Sequence, residues 1–506
     1  MNQNKIKSAL ISVYYKDNLE KVIGTLKKYG ITLYSTGGTF DFIKQLADVQ
    51  SVESLTGYPS ILGGRVKTLH PKVFGGILSR RDNDSDKSDL AKYEIPEIDL
   101  VIVDLYPFSE TLAANASQDE IIEKIDIGGI SLIRAAAKNF KDTLIISSRD
   151  QYSSLVELLE SKNGATDLED RMRYAAEAFE LTTTYDRNIS DYFASLLDKE
   201  KFSLNISPSN KLRYGENPHQ KGVFYGKLDE IFTQLHGKEI SYNNLLDIDA
   251  AFALINDFDE TTYAVIKHNN ACGCASDANP LEAWKKALAG DPVSAFGGII
   301  ITNSLIDGQV AEEINKLFFE IILAPGYSSE ALTILKSKKN RIILEIKSGK
   351  RPEKQFRSVL NGVLVQDIDS VSEDASFLKP VTKKEPAEQE INDLIFANKL
   401  VKHSKSNTIV LVKDKRLLAS GVGQTSRVDA LKQAIEKAKN FGFSLQGAVM
   451  ASDAFFPFPD CVEIASKEGI TSVIQPGGSV RDQESVDFCD NAGLSMVITG
   501  YRHFKH

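Results

Sequence analysis

Strand-like and helix-like segments alternate in the N-terminal part of the chain, and this alternation restricts the fold more than any other feature. Residues 6–13 are typical of a strand, and residues 19–26 place leucine, valine and isoleucine at helical spacing. Gly30 then supplies a helix stop, and residues 31–35 predict a second strand that leads into the turn 36–39. The order strand, helix, strand, turn, helix favours a mostly parallel sheet covered by helices.

Two later strands belong to the same predicted sheet. Residues 101–103 predict a buried strand that leads into Asp104, and residues 143–147 predict another strand. Ligands of open α/β sheets bind beyond the carboxyl ends of the strands. The segments 36–39 and 104–106 are therefore candidate ligand-binding loops.

The chain of 506 residues is too long for one core, because single hydrophobic cores stop growing near roughly 250 to 300 residues. Thr166 and Glu169 form a capping-box signature that opens a helix running toward Leu197. The polar stretch 198–211 follows as the predicted linker. The predicted domains are 1–199 and 200–506.

An α/β pattern resumes after the linker. Residues 265–268 and 299–302 predict strands, and residues 281–288 predict a helix between them. A third block begins near Glu388 with a helix, a hairpin over 409–420 and a helix from about Val428. The second and third blocks have the pattern of two copies of one unit, with subdomains of roughly 200–385 and 386–506. Residues 326–380, rich in Lys, Glu and Ser, match no clear pattern.

Composition excludes several classes of protein. A net charge of -9 and a pI near 5.5 argue against a nucleic-acid partner, which requires a basic face. The four cysteines are too few for a disulfide framework and indicate a reducing compartment. No run of about 18 apolar residues predicts a membrane span. We expect a cytoplasmic enzyme or binding protein without a membrane partner.

The first predicted domain carries two motifs suited to an anionic ligand. The loop 63–71 holds two glycines, Arg65, Lys67 and a threonine, a set that suits a phosphate and a polarised carbonyl. A basic surface loop is the alternative interpretation. Asp126 precedes a helix that bears Lys138, so it is either a ligand-site carboxylate or an N-cap. Lys138 is either a functional cation or a solvated one.

The second half has its own reactive pair. Lys267 and His268 follow an apolar strand and suggest a cation beside a general base. A zinc-dependent base deaminase would need an H-x-E segment and a later P-C-x-x-C, and neither occurs. The segment 272–274 has the pattern CxC, and we interpret both cysteines as packing residues of a turn. His503 and His506 could alternatively form a metal tract.

Ordered motifs along nearly the whole chain resemble one family. GGRVKTLHP, DLYPF and DIGGISLIRAAAKN resemble the cyclohydrolase part of the bifunctional AICAR transformylase/IMP cyclohydrolase family, and LRYGENPHQ, VIKHNNACG, DPVSAFGG, GVGQTSR and SDAFFPFPD resemble its transformylase part. The resemblance implies a methylglyoxal-synthase-like N-terminal domain and a C-terminal domain of two cytidine-deaminase-like subdomains.

The resemblance also implies the chemistry. A folate, 10-formyltetrahydrofolate, formylates an aminoimidazole carboxamide ribotide (AICAR) to its formyl derivative (FAICAR), which closes with loss of water to inosine monophosphate (IMP). A homodimer and a structural potassium ion are implied, and a catalytic metal is not. Both steps add a weak nitrogen nucleophile to a formyl group, so positive charge and a proton acceptor must surround each reacting centre.

The site residues are carried over by motif. For ring closure the resemblance implies catalytic Lys138 as the proton-transfer residue, Lys67, Tyr106 and Asp126. The nucleotide site would comprise Tyr14, Tyr15, Lys16, Thr36, Gly37, Gly38, Thr39, Arg65, Val66, Lys67, Thr68, Val103, Asp104, Asp126 and Ile127. For formyl transfer it implies Lys267 as oxyanion stabiliser and His268 as general base. AICAR would contact Arg213, Tyr214, His219, Asn244, His268, Asn407, Phe455 and Arg502, and the folate would contact Arg427, Asp460, Ser479 and Val480.

Several positions depart from the family pattern. The pair Tyr14-Tyr15 replaces a common Ser-Asp, Asp104 replaces the usual Asn, Phe74 a frequent His, and Ala271 a frequent Pro. We expect Asp104 to accept hydrogen bonds from a ribose hydroxyl or a base N–H, because a carboxylate would repel the phosphate. The alternative from another class is a non-catalytic nucleotide sensor, which needs neither a proton shuttle nor a base.

Overall fold

The computed structural model describes residues 3–197, 199, 202–204, 206, 209–347 and 352–506. It divides into two compact units, Met1–Leu204 and Asn205–His506. Glu200, the first residue of the predicted second domain, lies outside the described residues. So do residues 198, 201, 205, 207 and 208 of the predicted linker and residues 348–351 of the segment that matched no pattern.

The first unit alternates short strands with helices. Its strands β1–β7 are Asn4–Lys5, Ser8–Ser12, Thr32–Ser35, Gln50–Ser51, Leu100–Val103, Leu144–Ile146 and Ala165–Thr166. Its helices α1–α10 are Leu19–Lys28, Gly37–Ile43, Val52–Thr56, Pro71–Leu78, Asp84–Lys92, Phe108–Ala113, Gln118–Glu123, Gly128–Lys138, Tyr152–Ser161 and Leu168–Ser195.

Five of these strands form a parallel sheet in the order β4-β3-β2-β5-β6. The central strands β2 and β5 are buried nearly throughout, which matches the continuous apolar runs read from the sequence. The predicted strands, the helix from Leu19 and its stop at Gly30, whose φ is 66°, are confirmed. The strand ends therefore meet at one edge of the sheet.

The second unit is built on a sheet of twelve strands. Its strands β8–β23 are Ser209–Lys211, Val223–Tyr225, Phe232–His236, Thr262–Lys267, Asn270–Ser276, Ile299–Thr302, Ile321–Ala324, Ile342–Ile346, Lys354–Val359, Gly362–Asp367, Lys379–Pro380, Ile409–Lys413, Arg416–Gly421, Val449–Ser452, Ser472–Gln475 and Ser495–Ile498. Its helices α11–α18 are Tyr242–Ile255, Pro280–Ala289, Gly308–Asn315, Ser329–Leu335, Glu388–Lys402, Arg427–Asn440, Asp460–Lys467 and Asp482–Ala492.

The large sheet contains one strand pattern twice. Its central ten strands follow the order β15-β14-β13-β11-β12 and then β20-β19-β21-β22-β23. In each half the first two strands form an antiparallel hairpin, the third is antiparallel to the first, and the last two continue in parallel. The prediction of two copies of one α/β unit is confirmed, and we call the two halves the first and second repeat.

The unassigned segment 326–380 contains ordinary elements: α14, β15 and the hairpin β16–β17, whose residues are all exposed. Two predictions were wrong in detail. The capping box of α10 is made by Asp167 and Asp170 rather than by Thr166 and Glu169. Thr166 is still buried in a β-bridge, and its hydroxyl accepts a hydrogen bond from Arg171.

The cysteines of the CxC segment also lie elsewhere than predicted. Cys272 and Cys274 are buried in strand β12 rather than in a turn, and their packing role holds. Across the described ranges, no helix combines the length and apolarity needed to cross a membrane.

Candidate active sites

The strand ends of the first unit surround a cavity of about 610 Å³, a size suited to a small-molecule ligand. It opens beyond β2, β3 and β5, where the sequence placed its candidate loops. Thirteen of the predicted residues line this cavity: Tyr14, Lys16, Thr36, Gly37, Gly38, Thr39, Arg65, Lys67, Thr68, Asp104, Tyr106, Asp126 and Ile127.

Lys67 crosses the cavity wall over two glycines. A Cβ atom on Gly37 would lie 3.3 Å from Lys67 Nζ, and one on Gly64 would lie 2.9 Å from Lys67 Cε. Both glycines also have positive φ, which side chains rarely adopt. The glycine turns therefore have a specific purpose, because they leave room for the ammonium group of Lys67.

A carboxylate and a phenol, those of Asp126 and Tyr106, also line the cavity. Asp126 Oδ1 accepts a hydrogen bond from Gly129 N–H at 2.6 Å, at the start of α8, and its Oδ2 accepts the Tyr106 N–H at 3.4 Å. Burial raises the pKa of Asp126 and that of the Tyr106 hydroxyl, and the nearby Asp126 charge raises the latter further. Asp126 is thus both a helix-capping group and a cavity group, which joins the two interpretations.

The loop that carries Tyr14 is held by Asp104. The Asp104 carboxylate accepts the backbone N–H groups of Tyr14 and Tyr15, the latter at 3.0 Å. Burial raises the pKa of Asp104, and these two N–H groups oppose the rise. Lys16 Nζ donates back to the carbonyls of Val13 and Tyr14 at 2.6 and 2.8 Å. Both Asp104 oxygens are engaged by the protein, so its first role is to shape the cavity wall, and a contact to ribose or base stays a prediction.

Tyr14 and Tyr15 point to different places. The Tyr14 ring lies 5.6 Å from the Tyr106 ring inside the cavity. Tyr15 faces a separate groove, where its hydroxyl donates to Glu110 at 2.6 Å and Arg149 covers its ring. Val103 is buried at the end of β5, so its side chain is part of the core. Val66 closes the base of the 61–66 loop by a β-bridge to Ile61.

Lys138 is the one predicted catalytic residue of this unit that does not line the cavity. It ends α8, whose first residue Gly128 borders the cavity, and ten helical steps separate the two by about 15 Å. Lys138 instead lines an apolar groove with Arg134 and Phe179. Lys67 and Lys138 of one chain are therefore not brought together.

In the second unit, strand directions bring the predicted residues to one edge of the large sheet. Strand β11 runs parallel to β20–β23, as the chain of pairings through β12 and β19 requires. The ends of these strands, together with the starts of β12 and β19, form what we call the His268 edge. The predicted residues at or just beyond it are Lys267, His268, Asn407, Arg427, Phe455, Asp460, Ser479, Val480 and Arg502.

The reactive pair occupies the tip of the β11–β12 hairpin. Lys267 is the last residue of β11, and its Nζ donates to the Phe296 carbonyl at 2.8 Å. A Cβ atom on Gly297 would lie 3.3 Å from this Nζ, so the glycine keeps the lysine accessible. His268 lies in the turn rather than in the predicted strand, and its residue is exposed. The exposed His268 thus follows directly after the partly exposed Lys267.

Cations from two loops share an aromatic ring at the same edge. The guanidinium groups of Arg427 and Arg502 lie 5.8 and 4.4 Å from the Phe504 ring centre. Arg427 also donates to the buried Asp453 at 3.3 Å. Asn407 donates to the carbonyls of residues 424 and 425, so its amide is committed to the loop before α16.

The remaining predicted contact residues lie in the first repeat and in the loop that precedes it. Asn244 is buried at the start of α11, where it completes a capping box and donates to Glu320 at 3.2 Å. Arg213 covers the Tyr214 ring, and His219 is exposed in the same loop. The structure thus places Asn244 within α11, and among the described residues it shows no hydrogen bond from the loop of Arg213 and His219 to Lys267 or His268.

Sequence reasoning missed several groups. The cavity is also lined by Ser12, Val13, Leu69, Ile122, Glu123 and Ile125. Glu123 pairs with Arg65, and nothing in the sequence around α7 signalled this contact. Among the described residues, no group of three or more His, Cys, Asp or Glu side chains could hold a metal ion. His503 instead pairs with Asp369 and Glu373, which argues against the alternative of a metal tract.

Comparisons with known proteins place this geometry in context. A family model described as AICARFT/IMPCHase bienzyme matches residues 136–437, and one described as MGS-like domain matches residues 18–131. A bifunctional purine biosynthesis protein PurH from Bacteroides thetaiotaomicron is 61% identical over 100% of both chains. PurH proteins from Aquifex aeolicus and Acetivibrio thermocellus are 47% and 46% identical, and the alignments cover 98% and 99% of this chain and 100% of theirs.

Proposed function

The chain belongs to the family of bifunctional purine biosynthesis proteins, and from this premise we propose how its two units divide the work. It is an AICAR formyltransferase and IMP cyclohydrolase of purine biosynthesis. We assign ring closure to the first unit and formyl transfer to the second. The observation that carries this assignment is that Lys67, Tyr106 and Asp126 share one cavity, whereas Lys267 and His268 stand together on another unit.

Ring closure joins the carboxamide nitrogen of FAICAR to its formyl carbon and then expels water. Lys67 would stabilise the oxygen that gains negative charge as the C–N bond forms, since its ammonium group borders the cavity over bare glycine backbone. Asp126 and Tyr106 line the same cavity and would serve as proton acceptor and donor, and both have raised pKa values. The cations and the loop 36–39 would hold the nucleotide phosphate.

Formyl transfer joins the AICAR amine to the formyl carbon and breaks the bond from that carbon to the folate nitrogen. His268 would take the amine proton and return it to the folate nitrogen as the bond from that nitrogen to the formyl carbon breaks, and Lys267 would stabilise the oxyanion. The exposure of His268 directly after the partly exposed Lys267 supports these roles. Arg502 would contact the substrate phosphate and Arg427 the acidic folate, and their shared contact with the Phe504 ring supports a common site.

A formyltransferase requires a folate formyl donor, and we propose 10-formyltetrahydrofolate. Arg427, Asp460, Ser479 and Val480 are assigned to it, because they follow neighbouring strands at one edge. Incubating the protein with AICAR and this folate should yield IMP, and chromatography would measure the IMP formed. No formylated product would contradict the formyl-transfer assignment, and FAICAR without IMP would contradict the ring-closure assignment.

A structural potassium ion has a matching group in the second unit. Asp453 is buried, one of its oxygens bonds Arg427, and the other has no partner within the described ranges. An orphaned carboxylate oxygen suits a monovalent cation. We propose Asp453 as one ligand of this ion. The proposal would be supported if K⁺ raises the unfolding temperature of the wild type but not that of Asp453→Asn. An unchanged unfolding temperature with and without K⁺ would contradict it.

We also propose a cytoplasmic homodimer. Because Lys138 cannot reach the cavity of its own chain, its predicted proton transfer would have to take place at the cavity of a second copy. Mixing Lys67→Ala with Lys138→Ala should then restore ring closure, since hybrid dimers regain one complete site. Failure of the mixture to regain activity, with hybrids shown by mass spectrometry, would remove Lys138 from the mechanism.

A further inference from the structure

The two repeats of the large sheet contain the same tight turn at opposite edges. In the first repeat His268 and Asn269 join β11 to β12, and their φ angles are 50° and 63°. In the second repeat Asp414 and Lys415 join β19 to β20, with φ angles of 55° and 49°. Two successive positive φ angles define a type I′ turn, a strained conformation for these side chains that needs support.

Each turn is supported by an aspartate at the same helical position. Asp247 and Asp393 are the sixth residues of α11 and α15. Asp393 accepts the Asp414 and Lys415 N–H groups at 2.9 and 2.7 Å. Asp247 Oδ1 accepts the Asn269 N–H at 2.7 Å. The aspartate clamp is therefore a device of the fold that both repeats share.

The two clamps differ in what they leave free. Asp393 uses both carboxylate oxygens on the backbone and is buried. Asp247 uses only Oδ1, which also accepts the Asn269 side-chain amide at 2.8 Å in the orientation that satisfies that amide. Its Oδ2 has no hydrogen-bond partner in the described part of the chain. Only the first-repeat clamp thus retains a free carboxylate oxygen beside its turn.

The charges around this oxygen are mixed. Burial raises the pKa of Asp247, while the Asn269 hydrogen bond and the positive charges of His268 and Lys267 oppose the rise. Glu320, the residue before β14, adds a negative charge and forms an ion pair with Lys238 at 3.7 Å. Asp247 is therefore the carboxylate of α11 that interacts with the imidazole of His268.

We propose that Asp247 is a positioning residue for formyl transfer. Through the Asn269 N–H it holds the turn that carries His268 at the tip of the hairpin, and its carboxylate adds a negative charge near that turn. That charge stabilises the imidazolium formed when His268 takes the amine proton and the C–N bond forms. The proposal rests on the assigned role of His268 as general base. It adds Asp247 as the residue that positions His268 and stabilises its protonated form.

Three variants separate the hydrogen bond from the charge. Asp247→Asn keeps an acceptor for the Asn269 N–H but removes the charge, and Asp247→Ala removes both. We expect formyl transfer to fall about tenfold in the first and about 10²-fold in the second, because a positioning residue supplies at most the lower limit of the roughly 10²- to 10⁴-fold that general-base catalysis contributes. Asp247→Glu should recover part of the rate, and the ring closure of supplied FAICAR should stay unchanged in all three.

The pH profile of kcat/KM for AICAR is the decisive measurement. Without the neighbouring negative charge, protonated His268 is less favoured, so the acidic limb should move to lower pH in Asp247→Asn. Asp393→Asn is the matched control, because it weakens the same clamp at the other edge. It should lower the unfolding temperature and leave the limb in place, and Asp249→Asn, an exposed aspartate of α11, should change neither.

Two results would overturn the proposal. Wild-type rates and an unmoved limb in Asp247→Asn would do so, and so would a rate loss without movement of the limb, which reduces Asp247 to the structural role of Asp393. His268→Ala distinguishes failure of the underlying assignment, since an active His268→Ala enzyme removes the general base itself. If Asp247→Ala fails to fold by circular dichroism, Asp247→Asn and Asp247→Glu carry the test.

Discussion

The two candidate sites are built in different ways. The proposed ring-closure cavity lies beyond the strand ends of one parallel sheet, and bare glycine backbone and the Asp104 carboxylate shape its wall. The formyl-transfer residues are distributed along the His268 edge over both repeats, and several are exposed. The first arrangement gathers its residues around one cavity, whereas the second offers a wide surface that suits two substrates at once. The two activities should therefore be separable by single substitutions.

The largest expected effect tests this separation at the His268 edge. His268→Ala should lower formyl transfer by about 10³-fold, because the amine loses its proton acceptor. Conversion of supplied FAICAR to IMP should continue at the wild-type rate, measured by absorbance. His236→Ala, a partly exposed histidine on β10, is the control. Loss of both activities in His268→Ala would break the comparison.

The converse substitution tests the enclosed cavity. Lys67→Ala should lower ring closure by about 10²-fold, because the developing oxyanion loses its nearest cation. Formyl transfer should persist, so FAICAR should accumulate and be detectable by chromatography. Lys21→Ala, on the exposed face of α1, should behave as wild type. Equal ring-closure rates in the two variants would exclude Lys67 from the chemistry.

A smaller effect should follow when the cavity wall is loosened. Asp104→Ala leaves the N–H groups of Tyr14 and Tyr15 without their acceptor, which costs about 1 to 3 kcal/mol. Loosening of this loop should raise the KM for FAICAR about tenfold with a smaller change in kcat. Asp104→Asn retains one acceptor, so its KM for FAICAR should lie between the values of the wild type and Asp104→Ala. If kcat falls and KM stays constant, Asp104 acts on the chemistry instead.

The smallest effect on activity concerns the pH dependence of the C-terminal segment at the His268 edge. His503 is buried, and although burial lowers its pKa, the hydrogen bonds and charges of Asp369 and Glu373 outweigh burial and raise the pKa to about 9. Because this value lies above the ordinary 6.5, the stabilisation is complete below pH 6.5 and is lost as pH rises through about 9. The C-terminal segment with Arg502 should then loosen.

The size of this effect is on the order of 3 kcal/mol at most. It should appear as a fall in denaturant stability of the wild type between pH 7 and 10 that His503→Gln lacks. Formyl transfer should weaken over the same range through the KM for AICAR, while ring closure should not. Equal pH dependence of stability in wild type and His503→Gln would show that the two carboxylates do not stabilise the charged imidazole.

Much of the fold was predictable because hydrophobic periodicity is a local property. The strands before Thr36 and Asp104, the helix from Leu19 and the hairpin over 409–420 were read from short windows and are confirmed. The capping-box prediction failed because two residue patterns compete locally. Thr166 and Glu169 match a capping box as well as Asp167 and Asp170 do, and only the backbone geometry selects the second pair.

The candidate sites were predictable in part. Motifs identified Lys67, Asp126 and His268, because each of them occurs in a short sequence motif whose neighbouring residues indicate its chemistry. They did not reveal Glu123, Asp247 or Asp453, whose partners lie more than 20 residues away in the chain. A lone carboxylate on a helix looks the same in the sequence whether it faces solvent or a turn.

By itself the sequence determined the family, the alternation of strands and helices, and the residue types that can carry formyl chemistry. Only the tertiary structure decided that Lys138 lies at the far end of α8, about 15 Å along the helix from Gly128 at the border of the cavity. Only the structure decided that one of two equivalent turns stands at the His268 edge and the other at the opposite edge. Residue types act locally, whereas helix length and strand direction determine which of them meet.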